Sequence, residues 1–423
     1  MKLSNLRLEH NVPFEYGKNQ ARIICDMQAG FTDKKELWFS VDEEYAELLT
    51  DDVYDAFMVA LLYPAMYYHE DIEIEGNVSK RLWHNIIRYV QSIVLDYEKK
   101  CEPIDIRPRG FALAKKSTNL HVGTGFSGGV DSFSTLTDNF FNENDSGYKI
   151  DSLFFFHLGQ YGHGYDNSDN WKRANCRFEI TKSFYEDAMR KNYGGGYCLM
   201  MNTNLFSFIP AEWEYDAGIL LRIAAVLVFQ KILKRYYISN SDSWAEIRRL
   251  DFTKHNEAMT EFDSVVMPLL SPDSLEILCD GSQYSRTEKT EKIALNSFAQ
   301  KYLNVCVTDN FIEAKNCSIC SKCKRTMFAL ETAGVLEDFG NVFDLSVWKK
   351  EKFLYKCECI KNYKISHPAK DCIDFARSKG KKLPSNLTAN IACTVYRVAH
   401  ILKVALTNPK KVFHRLFAKG IDV

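Results

Sequence analysis

Two stretches of the 423-residue chain have residue types and spacings that can do chemistry. The first is SGGVDS, Ser127 to Ser132. Adjacent glycines let a backbone turn tightly with its N–H groups facing inward, and a helix starting there adds partial positive charge. With hydroxyls from Ser127 and Ser132, the stretch reads as a phosphate cradle built by Ser127, Gly128, Gly129 and Ser132. It is not a Walker A loop, because Gly129 and Val130 stand where Lys and Ser or Thr are required. Nor does it read GxGxxG. Asp131 would repel bare phosphate, so its expected task is to hold a Mg²⁺ that bridges phosphate oxygens. The second stretch is CVTDNFIEAKNCSICSKC, which begins at Cys306. Cys317, Cys320 and Cys323 follow C-x2-C-x2-C, and Cys306 supplies a fourth sulfur. Four thiolates without histidine suit a closed tetrahedral Zn²⁺ site with no open position for catalysis. An iron–sulfur cluster needs similar cysteines and is the competing expectation. Lys315, Lys322, Lys324 and Arg325 flank the cysteines and offset their negative charge.

A phosphate cradle needs a strand before it and a helix after it. From about 119 to 334 the pattern supplies both. Leu120 to Gly123 leads into the glycines and Ser132 to Phe141 can form the helix. Further strands are expected at Ile150–His157, Tyr197–Met201, Arg235–Ser239, Leu275–Leu278 and Leu303–Val307. Helices are expected at Ala217–Leu233 and near Thr287–Gln300. Continuous apolar strands spaced by helices predict an α/β fold, a parallel sheet with helices on both faces. Such a sheet binds ligands beyond the carboxyl ends of its strands. Before it, residues 1–115 form an α+β accessory region with a strand at Leu37–Val41 and helices at Asp52–Tyr68 and Ser79–Tyr97. Arg107–Lys116 reads as the linker into a central domain of residues 116–334. Residues 335–423 are basic and helical in pattern, with apolar positions 391, 395, 398, 401 and 405 in Asn390–Leu406.

The totals exclude several classes. A net charge of −1 argues against a whole-protein nucleic-acid or membrane surface, although Val347 to Val423 holds 17 Lys/Arg against 5 Asp/Glu. The most apolar helix, Ala217–Leu233, carries Arg222, Gln230 and Lys231 and reads as buried instead of membrane-spanning. The amino terminus has no apolar signal region, and thirteen cysteines then suggest reduced thiols or metal ligands. A cytoplasmic protein without a membrane partner is the expectation.

SGGVDS resembles the PP-loop of the ATP pyrophosphatases, which split ATP into AMP and pyrophosphate. The resemblance implies a Rossmann-like fold of the adenine nucleotide alpha hydrolase type, with Ser127, Gly128, Gly129, Asp131 and Ser132 around pyrophosphate and magnesium. The pairing of this loop with a C-x2-C-x2-C knuckle is similar to the 7-cyano-7-deazaguanine synthases. FFFHLGQYGH (154 to 163) resembles their turn at the second strand end, which implies adenine contact near Phe156 and His157. SRTEKTEKIA (285 to 294) resembles their helix start after the sheet, with Lys289 as the matching lysine. The similarity covers about half the chain, and the flanking regions have no counterpart in those compact enzymes.

The activity so implied is adenylation of a carboxylate or carbonyl oxygen by ATP, followed by attack of ammonia or an amine. Asp131, Lys289 and Arg286 are the expected catalytic groups, the two cations offsetting charge on departing pyrophosphate. The acceptor is a small-molecule carboxylate or a protein. His157 and His163 are candidates for a base, and Asp280 and Gly281 for shaping the acceptor pocket. Glu212, Glu214 and Asp216 are read as caps of the following helix. Competing expectations are sulfur transfer to tRNA, using the basic tail as an RNA surface, and an ATP-binding docking subunit of a multiprotein system such as antiphage defence. In the latter, the flanking regions would hold a partner protein.

Overall fold

The computed structural model describes residues 1–159, 167–191, 195–209, 218–247, 263–306 and 316–407. His163, Glu212, Glu214, Asp216 and Lys315 lie outside the described residues. The chain divides into two units. One comprises chiefly Met1–Ile293 and Tyr302–Asn304, and the other comprises 294–301, 305–306 and the residues from 316 onward.

The first unit is organised by a ten-stranded sheet. Its strands are β1 (Lys2–Val12), β2 (Gln20–Gln28), β3 (Glu36–Asp42), β4 (Ile72–Val78) and β5 (Ile106–Phe111), then β6 (His121–Gly125), β7 (Ser152–His157), β8 (Cys198–Thr203), β9 (Leu233–Ser239) and β10 (Glu276–Asp280). Their order is β10-β9-β6-β7-β8-β3-β2-β1-β4-β5. The sheet is mostly parallel, but β8–β3, β3–β2 and β2–β1 are antiparallel. β6 to β10 pair with one another in parallel throughout, as the pattern of residues 116–334 predicts, and every antiparallel pairing involves a strand of residues 1–115. Residues 1–115 do not form a sheet of their own, since β3 pairs directly with β8.

Local chemistry explains where pattern reading failed. Arg107–Lys116 is not a linker throughout, because Ile106–Phe111 is a strand that pairs only with β4. Pro108 and Gly110 hid it, and an edge strand tolerates proline. In β1 the register with β2 shifts twice, where Asn5 and Asn11 adopt positive φ, so side-chain alternation is lost. Residues 303–306 form no strand. The Asn304 N–H goes instead to the Gly128 carbonyl at 2.7 Å. Those of Val305 and Cys306 go to the Asn316 side chain at 2.8 and 3.2 Å. The apolar helix ends at Leu227, before the β9 strand takes over at Leu233, and the helix near 287–300 is two, Arg286–Ile293 and Ser297–Tyr302.

In the parallel half, the chain runs outward from β6 through β7 to β8, then returns to the other side of β6 for β9 and β10. The strand order thus reverses between β6 and β9. Connections leaving the carboxyl ends of these two strands diverge, and a crevice opens between them. The glycine stretch follows β6 directly. β6 and β7 are almost wholly buried, as parallel strands covered on both faces require.

The second unit is helical after the cysteines, with helices Ser321–Ala333, Leu345–Lys361, His367–Ser378 and Asn386–Thr407. Asp344 and Ser366 cap the second and third by accepting backbone N–H bonds. No helix among the described residues is long and apolar enough to cross a membrane.

Candidate functional site

The glycine turn is set by backbone geometry. Gly128 has φ of 73°, which a side chain would strain, and a Cβ there would lie 3.4 Å from the Tyr302 carbonyl. Gly129 is the residue before the helix Val130–Leu136, which continues as a π turn to Phe141. Ser127 Oγ accepts from the Gly129 N–H at 3.3 Å, and the Ser132 hydroxyl donates to the Gly129 carbonyl at 3.0 Å. The first N–H groups of a helix have no intrahelical acceptor. Here they open at the end of β6.

Asp131 sits in the first turn of that helix and meets two cations. Arg286 Nη1 pairs with one carboxylate oxygen, and Lys289 Nζ lies 3.5 Å from the other. Arg286, Lys289 and Lys292 recur every third residue along Arg286–Ile293 and so share a face. The third pairs with Asp138 at 2.5 Å. Lys289 is fully buried and donates to the Asn240 carbonyl at 2.6 Å. Gly281, at φ of 91°, makes room for it: a Cβ there would approach Lys289 Cε to 3.3 Å. Asp280, beside it, accepts from the Thr135 hydroxyl at 2.7 Å, and burial raises its carboxyl pKa.

A cavity of about 500 Å³ adjoins the turn, within the range of small-ligand pockets. Gly125, Ser127, Asp131 and Ser132 form its polar side. Phe154, Phe156, Leu221, Val226 and Tyr236 form an apolar wall. The two expected adenine contacts separate, although Phe155 as well as Phe154 and Phe156 lines the cavity. Phe156 lines the cavity, while His157 is buried 6.1 Å from the Trp171 ring and does not line it. Burial lowers the His157 pKa to about 4, against a hydrogen bond with Asn202 that raises it.

Arg222 also lines this cavity. It pairs with buried Asp263 at 2.7 Å, whose pKa burial raises to about 6 against that ion pair. Sequence reading treated Arg222 only as evidence against a membrane span. The signal was present: one guanidinium in the otherwise apolar run GILLRIAAVL.

Asp131 could take part in holding a magnesium ion. Its Oδ1 is buried and makes no hydrogen bond among the described residues, with Lys289 Nζ as its ion-pair partner. Mg²⁺ commonly takes one or two carboxylates and draws its other ligands from phosphate and water.

In the second unit, Cys306, Cys317, Cys320 and Cys323 have sulfurs all within 4.8 Å of one another. Cys317 and Cys323 are 3.9 Å apart, close to the roughly 3.8 Å that tetrahedral zinc–sulfur bonds impose. Backbone N–H groups of Cys317, Cys320 and Cys323 point at the sulfurs of Cys306, Cys317 and Cys320 at 3.3–3.5 Å. Such donors stabilise thiolates, and burial otherwise pushes the Cys323 thiol pKa up. The cluster can hold a zinc ion.

No family model matches the sequence, and no curated protein or solved structure matches it.

Proposed function

We propose that the first unit is an ATP pyrophosphatase-type ligase of Rossmann-like fold. One observation carries this reading: the glycine turn stands where the strand order reverses, with a nucleotide-sized cavity beside it and two cations on its acid. Counted from β6, the parallel strands have the order 3-2-1-4-5, which dinucleotide-binding sheets also use.

ATP would place its base against the apolar wall at Phe154 and Phe156 and its phosphates over the turn. A carboxylate oxygen of the acceptor attacks the α-phosphorus, and the bond to pyrophosphate breaks. Ammonia or an amine then attacks the acyl carbon and AMP leaves. The N–H groups of the first helical turn and the Ser127 and Ser132 hydroxyls hold the departing pyrophosphate. Arg286 and Lys289 offset its charge, and Asp131 fixes both cations and would help to hold Mg²⁺, which would supply further neutralisation. No nucleophilic side chain is required, because positioning and fixed electrostatics lower the barrier. The cysteine cluster is proposed as one closed structural zinc site.

The test is product analysis with ATP, Mg²⁺, ammonium and a panel of ¹⁸O-labelled carboxylates. AMP and pyrophosphate should form together, with label moving from carboxylate to AMP. Labelled sulfur entering tRNA would replace this reading by sulfur transfer. ATP binding without cleavage under every condition would leave a docking subunit.

A further inference from the structure

The helix Asn386–Thr407 packs by one side. Ala389 and Cys393 are buried against Cys357 of Leu345–Lys361. On the other side Leu387, Ile391, Val395, Val398 and Leu402 are each 50–71% exposed. Their spacing of four, four, three and four residues confines them to about 80° of the helix circumference. Five aliphatic side chains therefore form a continuous exposed stripe.

The surrounding sequence gives this stripe a charge. From Phe375 to Ile421 there are ten Lys/Arg and no Asp/Glu, in a chain whose net charge is −1. Arg397 lies on the helix itself, to one side of the stripe. We propose that this helix lies flat on an anionic lipid surface, its stripe in the acyl boundary and the cations of the flanking sequence among the headgroups. That is how an amphipathic helix with a basic polar face binds. It differs from crossing the bilayer, which no helix among the described residues can do. A second copy of the chain is a poorer occupant, since a symmetric pairing would bring basic flanks together without acids to pair them. Nucleic acid would use the charge but leave the aliphatic stripe in water.

The experiment uses the full chain, sedimented with vesicles of phosphatidylcholine alone or with about one third phosphatidylserine. The protein should bind only the anionic vesicles, and more weakly as salt rises. The double variant Val395→Asp/Val398→Asp should bind roughly tenfold more weakly or worse. Its zinc content and far-ultraviolet circular dichroism should match those of the parent. The proposal is overturned if the parent ignores anionic vesicles, or if the double variant binds them equally well. Sedimentation equilibrium supplies the remaining arm. A dimer that this variant abolishes, in a protein that ignores lipid, assigns the stripe to self-association and overturns the proposal too.

Discussion

The glycine turn and the cysteine cluster are assembled in different ways. The turn's own residues are consecutive, but the cations on Asp131 arrive from Arg286 and Lys289, and the cavity wall comes from β7, β9 and the helix Gly218–Leu227. All four cysteines of the cluster fall between positions 306 and 323, and two of the three backbone N–H contacts to sulfur come from three residues away, the third from eleven. The first arrangement is a product of the whole sheet. The second is nearly complete in one short segment. Damage to the turn should therefore cost activity while the sheet stands. Damage to the cluster should cost structure.

The sharpest way to break this contrast is Asp131→Ala. On the proposed chemistry, AMP formation should fall by about a thousandfold or more, as when a preorganised charge is removed from a reacting centre. The fold should persist by circular dichroism, with a lower melting temperature because buried Lys289 loses its ion-pair partner, and near-normal turnover would remove Asp131 from the mechanism. Cys320→Ser tests the other side. Zinc, measured by elemental analysis, should drop from about one per chain towards none, and proteolysis should attack the second unit first. A brown protein that bleaches on reduction would instead mean an iron–sulfur cluster and favour sulfur transfer.

A smaller effect sharpens the picture of Lys289. Gly281→Ala puts a Cβ 3.3 Å from Lys289 Cε on a backbone that disfavours any side chain. AMP formation should fall by roughly tenfold to a hundredfold through the displaced ammonium. Lys289→Arg, which keeps the charge but not the fit, should not rescue it.

A further effect is on stability against pH. His157 has a folded-state pKa of about 4, below its ordinary 6.5. Between these values the unfolded chain binds the proton and the folded one does not, so stability falls as pH drops from 6.5 to 4. The full loss is about 3 kcal/mol. Asp263, raised from 3.8 to about 6, acts with the opposite sign over much of the same window. Denaturant titrations should show a flatter acid limb for His157→Gln and a steeper one for Asp263→Asn. Identical limbs would mean that neither group is buried as described.

What could be read from sequence follows the same division. SGGVDS and the four cysteines are short-range signals, and the cysteines come together as expected. Lys289 is reached through resemblance and Arg286 only through the need for a cation beside departing pyrophosphate, because no local pattern ties position 131 to position 286. The Arg222–Asp263 pair was missed for the same reason: Arg222 stands out in its apolar run, but nothing local marks Asp263 as its partner. The N-terminal strands were hidden by bulges at Asn5 and Asn11 and by Pro108. The β8–β3 junction was not legible, since its pairing partners Phe39 and Thr203 carry no mark of each other.

That junction also sets a clock on synthesis. β1, β2 and β3 can form their antiparallel meander as soon as they leave the ribosome. The free edge of β3 must then wait for β8, which begins at Cys198. At a typical 5–20 residues per second, the wait is roughly ten to thirty seconds. Throughout it, an apolar strand offers unpaired backbone groups to any other nascent chain. β6 waits as well, for a partner beginning at Leu233. Folding governed by such distant pairings is slow. Yield in a foreign host should therefore depend on translation speed and chaperone supply more than on the stability of the finished protein.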